Sequence, residues 1–339
     1  MKNAFVTAAM AGLLIMAAPL AGHAQPAVIQ LEAVGMTSRA QLAWKQWEWF
    51  ARELEQRTKG RVKMRVRTFP ELGLTGFEMI RTMKAGLLDI GDVQPSYISG
   101  DLPIVEGQDV PGIYKTLEDW RDGHIAWGAV LQKYENQMGG KYLGSYSFAI
   151  NVLYSRKPIA AIADLKGMKV RTFGTVFPTY LKALGAQPVV IPFAEAYTAM
   201  EQGAVDAIQT TIEVGLALKL GEISKYIIDL QLGSGPGTLV VGQPTWNKLP
   251  ADVREIMIQL GKEFTDRSWS DAIQASRSLI NEHEKAGVKY IGVRDTWNPQ
   301  LQAASKAVLA DWLKRSGKPG ADAFNQYLAP ITGFTVQAP

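Results

Sequence analysis

A guanidinium at the end of a β-strand is a ready grip for a carboxylate, because it presents two parallel N–H donors and stays charged at any working pH. The sequence offers two such positions, Arg67 in Val66-Arg67-Thr68-Phe69 and Arg171 in Val170-Arg171-Thr172-Phe173. Each can equally be a solvated strand-end cation. Arg67 alternates with Lys63 and Arg65 as a solvent-facing row would. Other chemistries lack parts. None of the 339 residues is cysteine, which excludes disulfides, thiolate metal sites, cysteine nucleophiles and a lipid-modified N-terminal cysteine. Beyond the first 24 residues only His124 and His283 remain, little material for a zinc site or a histidine triad. No Gly-x-Ser-x-Gly elbow, phosphate loop or His-Glu-x-x-His is present. Gly233-Ser234-Gly235-Pro236-Gly237 resembles a phosphate loop, but Pro236 interrupts it and a strand pattern, not a helix, follows. A dinucleotide loop needs the helix N-terminus, so this segment reads as a flexible connection.

The length predicts two domains, and the apolar share of 47% is that of a globular protein. A formal charge of +4 is too slight for a nucleic-acid binder. Lys2, an apolar run over 4–20 broken by Pro19, and Gly22-His23-Ala24 make a basic n-region, an h-region and a small-residue cleavage site. Residues 1–24 are therefore expected to be a signal peptide, with export to a periplasm. No later run is as apolar, so the mature chain from Gln25 is expected to be soluble.

The elements that must position an anion grip follow from periodicity. Residues 27–34 read as a strand, and Ser38 can cap a helix over 39–58 with Ala43, Trp47, Phe50 and Leu54 as its apolar stripe. Val62, Met64 and Val66 alternate with charges as a half-wet strand does. Residues 77–84 read as a helix and 89–93 as a strand. The alternation continues, which predicts an α/β fold with a mainly parallel sheet. Two echoes recur along the chain: Met83-x-x-Gly86-x-x-Asp89 against Met200-x-x-Gly203-x-x-Asp206, and the two Val-Arg-Thr-Phe tetrapeptides. They predict two lobes of similar construction, 25–147 plus about 236–275 and 148–235 plus about 276–339, with a single large domain as the rival. Long helices over 251–286 and 299–316, the second ended by Gly317, are expected to pack across the lobes.

The stretch 158–226 is the richest. It runs through Leu165-Lys166-Gly167-Met168-Lys169-Val170-Arg171, Leu184-Gly185-Ala186-Gln187-Pro188, Pro192-Phe193-Ala194-Glu195-Ala196-Tyr197 and Gln202-Gly203-Ala204-Val205-Asp206-Ala207. These four blocks, in this order, resemble the solute receptors of TRAP (tripartite ATP-independent periplasmic) transporters of the dicarboxylate-receptor type. Milder likeness covers most of the chain, including Trp246-Asn247-x-Leu249-Pro250. The resemblance implies a type II-like periplasmic binding protein: two lobes with mixed sheets, a hinge and a ligand cleft between them. It further implies a protein that is not an enzyme and that delivers a small carboxylate to the large and small membrane subunits of a permease. It implies that Arg171 grips the carboxylate and that Phe193 packs on the ligand.

Departures from the family pattern narrow the expectation. Thr210 stands where relatives place a ligand-contacting Asn, and it offers one hydroxyl in place of an amide pair. Gln209-Thr210 replaces the Glu-Trp of a metal-using branch, so no metal and no cofactor are expected. Glu213 is nearby, but one carboxylate makes a poor cage. Phe148, Ile150 and Asn151 occupy the region where many relatives carry a second Arg, which suggests a ligand with one carboxylate. Tyr146, Phe148, Phe173 and Phe177 make a hydrophobic or aromatic acid the expectation, with a dicarboxylate or a 2-oxo or 2-hydroxy acid as the alternative. Loops past the carboxyl ends of parallel strands bind ligands. In the first lobe they offer Ser38, Glu71 and Gln94. A secreted hydrolase using paired carboxylates is the reading from another class, and a receptor feeding a sensor kinase a third.

Overall fold

A computed structural model describes residues 27–35, 39 and 42–338, without the side chain of Phe193. The expected signal peptide and Ser38 lie outside the described residues. Among the described residues, eleven strands form two sheets. The first holds β1 (Ile29–Val34), β2 (Val62–Arg67), β3 (Ile90–Asp92), β4 (Gly140–Tyr146) and β10 (Gly237–Gly242), in the order β2-β1-β3-β10-β4. The second holds β5 (Asn151–Ser155), β6 (Lys169–Thr172), β7 (Gln187–Val190), β8 (Ala207–Thr211), β9 (Tyr226–Ile228) and β11 (Lys289–Ile291), in the order β11-β9-β5-β8-β6-β7. The chain passes from one sheet to the other between β4 and β5, returns between β9 and β10, and crosses once more between β10 and β11 through the helix Ala251–Lys285.

The sheets are mixed rather than mainly parallel. Among the described residues, every antiparallel pairing involves β5 or β10. These are the strands that arrive straight from a crossing. They enter their sheets head-on, whereas helix crossovers return the other strands parallel.

The two echoes fare differently. Asp89 accepts from the Glu32 amide at 2.9 Å, while its own amide bonds the Glu32 carbonyl. Asp206 does the same with Lys169, again at 2.9 Å. Each Asp thus pins the strand it opens to the neighbour that starts its sheet's β-α-β unit. The Val-Arg-Thr-Phe echo is not an equivalence: Arg67 ends the edge strand β2, whereas Arg171 lies on β6 between β7 and β8. The strand that corresponds to β6 in the first sheet is β1.

Three hydrophobic cores follow from this layout. The first helix, Leu42–Arg57, buries its Ala43, Trp47, Phe50 and Leu54 stripe against the first sheet. A second core backs β5 and β8 with Tyr154, Ile208 and Met200. The third runs through both halves, from Met83 and Trp127 to Val170, Phe177 and Trp312. The Ala251–Lys285 helix packs on β4 and the first helix and also on Ile212–Ala217 and β11, so it spans both sheets. Its hydroxyls at Thr265, Ser268 and Ser276 accept from the amides of Ser145, Ser147 and Ile150, splinting the crossing strand where no sheet partner is available. The last long helix, Asn298–Tyr327, breaks at Gly317 and leans on both Pro103–Asp109 and Val176–Ala183.

Candidate functional site

Arg171 sits one residue from the end of β6 and is 2% exposed. Its Nε donates to the Ile191 carbonyl at 2.9 Å and its Nη1 to the Gln209 carbonyl at 3.1 Å. The guanidinium carbon lies 5.3 Å over the Phe173 ring. No carboxylate among the described residues comes within ion-pair reach of it. Burial lowers its pKa from the ordinary guanidinium value, opposed by the Tyr97 phenol, yet a guanidinium keeps its proton. A buried cation without a counter-ion is costly unless something arrives to pair with it.

Tyr97 comes from the first half, on the short helix Pro95–Ile98. It meets Phe173 edge-on at 6.2 Å and stacks under Phe77 at 4.6 Å. Phe77 is 43% exposed, so this aromatic file runs from solvent to the guanidinium across both halves. Burial raises the Tyr97 pKa and the Arg171 charge lowers it, which places the two groups in mutual reach.

Strand alternation sorts the rest. Arg171 pairs in register with Ile208, so Thr210 shares its face of the sheet, while Gln209, Thr172 and Asn151 share the other. Gln209 spends its side chain there, accepting from Thr172 Oγ1 at 3.0 Å and donating to Asn151 Oδ1 at 2.9 Å. Its carbonyl, not its amide, reaches Arg171. Asn151 Nδ2 is buried and unpartnered. A Cβ on Gly235 would lie 3.7 Å from that nitrogen and 3.8 Å from Phe173, so Asn151 and Phe173 both border Gly235.

Other candidates are committed elsewhere. Gln94 donates to Asp92 at 2.8 Å, and Glu71 pairs with Arg39 and accepts from the Thr68 amide. Phe148 packs on Tyr146 in the first core, and Phe177 lies in the third. That leaves Phe173 as the ring of the four aromatics placed at Arg171. Phe193 opens the turn Phe193–Glu195, and its side chain lies outside the described residues.

Tyr97 was not among the candidates the sequence offered, although Gln94 three residues before it was, and Glu213 was weighed only as a metal ligand. Glu213 opens the helix Ile212–Ala217, and its carboxyl is buried beside the Ala149 and Leu42 amides with no side-chain partner among the described residues. Thr211 Oγ1, nearby in the chain, is also unpartnered. Burial pushes the Glu213 carboxyl up to about 8, with the Ala149 and Leu42 amides pulling the other way. Folding therefore holds a proton that the unfolded chain has released above about 4.5, and stability is lost as pH rises through that window. Each pH unit inside the window costs about 1.4 kcal/mol. Glu213→Gln should accordingly raise the ligand-free melting temperature more at pH 9 than at pH 5. An equal difference at both pH values would show that this carboxyl is not the titrating group.

Among the described residues no helix is long and apolar enough to cross a membrane. Residues 34–316 match the family model described as bacterial extracellular solute-binding protein, family 7. A solute-binding protein of Albidiferax ferrireducens is 27% identical over 254 residues, covering 73% of this chain and 74% of that protein. The 2,3-diketo-L-gulonate-binding periplasmic protein of Escherichia coli is 26% identical over 245 residues, covering 70% and 73%. In fold, the chain is similar to an extracytoplasmic solute receptor of Bordetella pertussis that binds pyroglutamic acid, with a TM-score of 0.83 at 23% identity, covering 88% of this chain and 99% of that one. The family match spans both sheets and the crossings between them, and on it the chain belongs to the bacterial extracellular solute-binding proteins of family 7, a family of receptors rather than enzymes.

Proposed function

We propose that this chain is a periplasmic receptor that captures a small organic acid with one carboxylate and hands it to the membrane subunits of a TRAP permease. In this reading residues 1–24 are a cleaved signal peptide. Residues 25–147 plus about 236–275, and 148–235 plus about 276–339, are lobes that close on the acid. One observation carries the reading: Arg171 is the only buried arginine among the described residues, and it has no acidic partner. A single such cation matches a single carboxylate, bound bidentately. Thr210, on the same face, adds a hydroxyl.

The orphaned atoms at Asn151 and Thr211, which pair across the sheet, support a second polar group on the ligand, away from the carboxylate. A hydroxyl, oxo or lactam group on a compact acid would supply it. The relatives that bind pyroglutamic acid and diketo-gulonate are consistent with that chemistry. Phe173 and Tyr97 would cover the apolar part.

A thermal-shift screen of several dozen mono-, di- and aromatic carboxylates tests this. Monocarboxylates bearing one further polar group should raise the melting temperature by about 5 °C at a hundredfold excess over Kd. Dicarboxylates should give smaller shifts. Equal stabilisation by neutral sugars or by amines would defeat the reading.

A further inference from the structure

We propose that Glu106 is a positioning residue that latches the Arg171–Phe173 turn of the second half onto the first half. It lies in Pro103–Asp109, between β3 and β4, and is fully buried. Its partners are on the other sheet's side of the molecule. Oε1 accepts from the Thr175 amide at 3.0 Å and the Val176 amide at 3.3 Å, and Oε2 accepts from the Thr175 hydroxyl. These groups open the helix Val176–Ala183, which follows Arg171, Thr172, Phe173 and Gly174 without interruption. A first-half carboxylate thus caps the first amides of a second-half helix, four residues beyond the anion grip.

The packing around the contact is tight enough to make it a catch. Gly174 turns with φ +68°, and a Cβ there would meet Glu106 Oε1 at 2.9 Å and the Ser96 carbonyl at 3.2 Å. Only glycine lets the two halves approach so closely. Tyr97 on Phe173 extends the same seam. Two other charged groups face Glu106: Arg315 Nη2 at 3.7 Å from Oε2, on the last long helix, and Asp109 on its own segment. Burial pushes the Glu106 carboxyl up to about 7, against the Thr175 bonds and Arg315, so keeping it here costs free energy that the seam must return.

The latch stands whether or not Arg171 grips a carboxylate, and its test uses no ligand. Because the chain has no cysteine, Gln56→Cys and Lys166→Cys give two exposed labels, one on each half. Pulsed spin-label distances and amide exchange are compared for Glu106, Glu106→Gln and Glu106→Ala. The parent should show one narrow distance population. Glu106→Ala should broaden it toward longer distances and speed exchange at Thr175 and Val176 by about tenfold, with the Leu42–Arg57 helix unchanged. Glu106→Gln, which keeps an acceptor and the shape, should fall between. Two results would overturn the latch: identical distances and exchange in Glu106→Ala, or a uniform rise in exchange throughout the molecule. Retained carboxylate binding in an Arg171 variant would overturn the site reading and leave this one intact.

Discussion

Arg171→Met should abolish binding of every carboxylate that stabilises the parent protein, weakening affinity by two to four powers of ten. Each charge-assisted hydrogen bond contributes about 1.5–3 kcal/mol, and a bidentate grip makes two. Met keeps the length and much of the volume of the side chain, so the loss reports charge and donors rather than a cavity. The ligand-free melting temperature should stay within a few degrees of the parent, because two opposing effects meet. The Ile191 and Gln209 carbonyls lose their donors, while a buried cation without a counter-ion disappears. Arg171→Lys makes the sharper contrast. It retains the charge but cannot present two parallel donors, so it should recover only part of the affinity. Calorimetric titration showing unaltered affinity in Arg171→Met would remove Arg171 from the site.

The fold was legible where local chemistry dictates it. The first helix shows its stripe because Trp47, Phe50 and Leu54 must face one core at helical spacing. Asp89 and Asp206 announce themselves because the same strand opening needs the same carboxylate. Strand direction was not legible. The orientation of β5 and β10 is set by crossings between sheets, and no residue pattern encodes them. Arg171 was singled out in the sequence only through motif order, since alone it looks like Arg67. What separates them is position: Arg67, at the edge, sits 3.9 Å from Glu71, while Arg171 is enclosed between two strands. Gln209 and Thr210 were read together, yet neighbours on a strand point to opposite faces. Glu106 gave no signal, because its partners at 175 and 176 are distant in sequence and are mostly backbone amides.

The second large effect belongs to the return crossing. Gly233→Ala should prevent accumulation of folded protein or lower its melting temperature by more than about 10 °C. Gly233 has φ +76°, and a Cβ there would lie 1.1 Å from Trp120 Cη2. The indole has no room to retreat. It is stacked on His124 at 5.0 Å and packed against Tyr114 at 4.8 Å, inside the third core. Left-handed backbone alone costs about 1–2 kcal/mol for a residue with a Cβ, and overpacking adds about 1–3 kcal/mol or more. The damage would not stay local. The Gly233 carbonyl accepts from the Asn151 amide, and Ser234 bonds Ser147 at 2.7 Å, so the two crossing strands hold each other. Moving one moves the strand end that carries Asn151. Gly235→Ala is the internal control. Its φ is ordinary, and its would-be neighbours lie at 3.7–3.9 Å, so it should melt within a few degrees of the parent. Equal melting temperatures for the two variants would mean that Trp120 does not press on the crossing, and the glycine-rich segment would then be the loose connection its composition suggests.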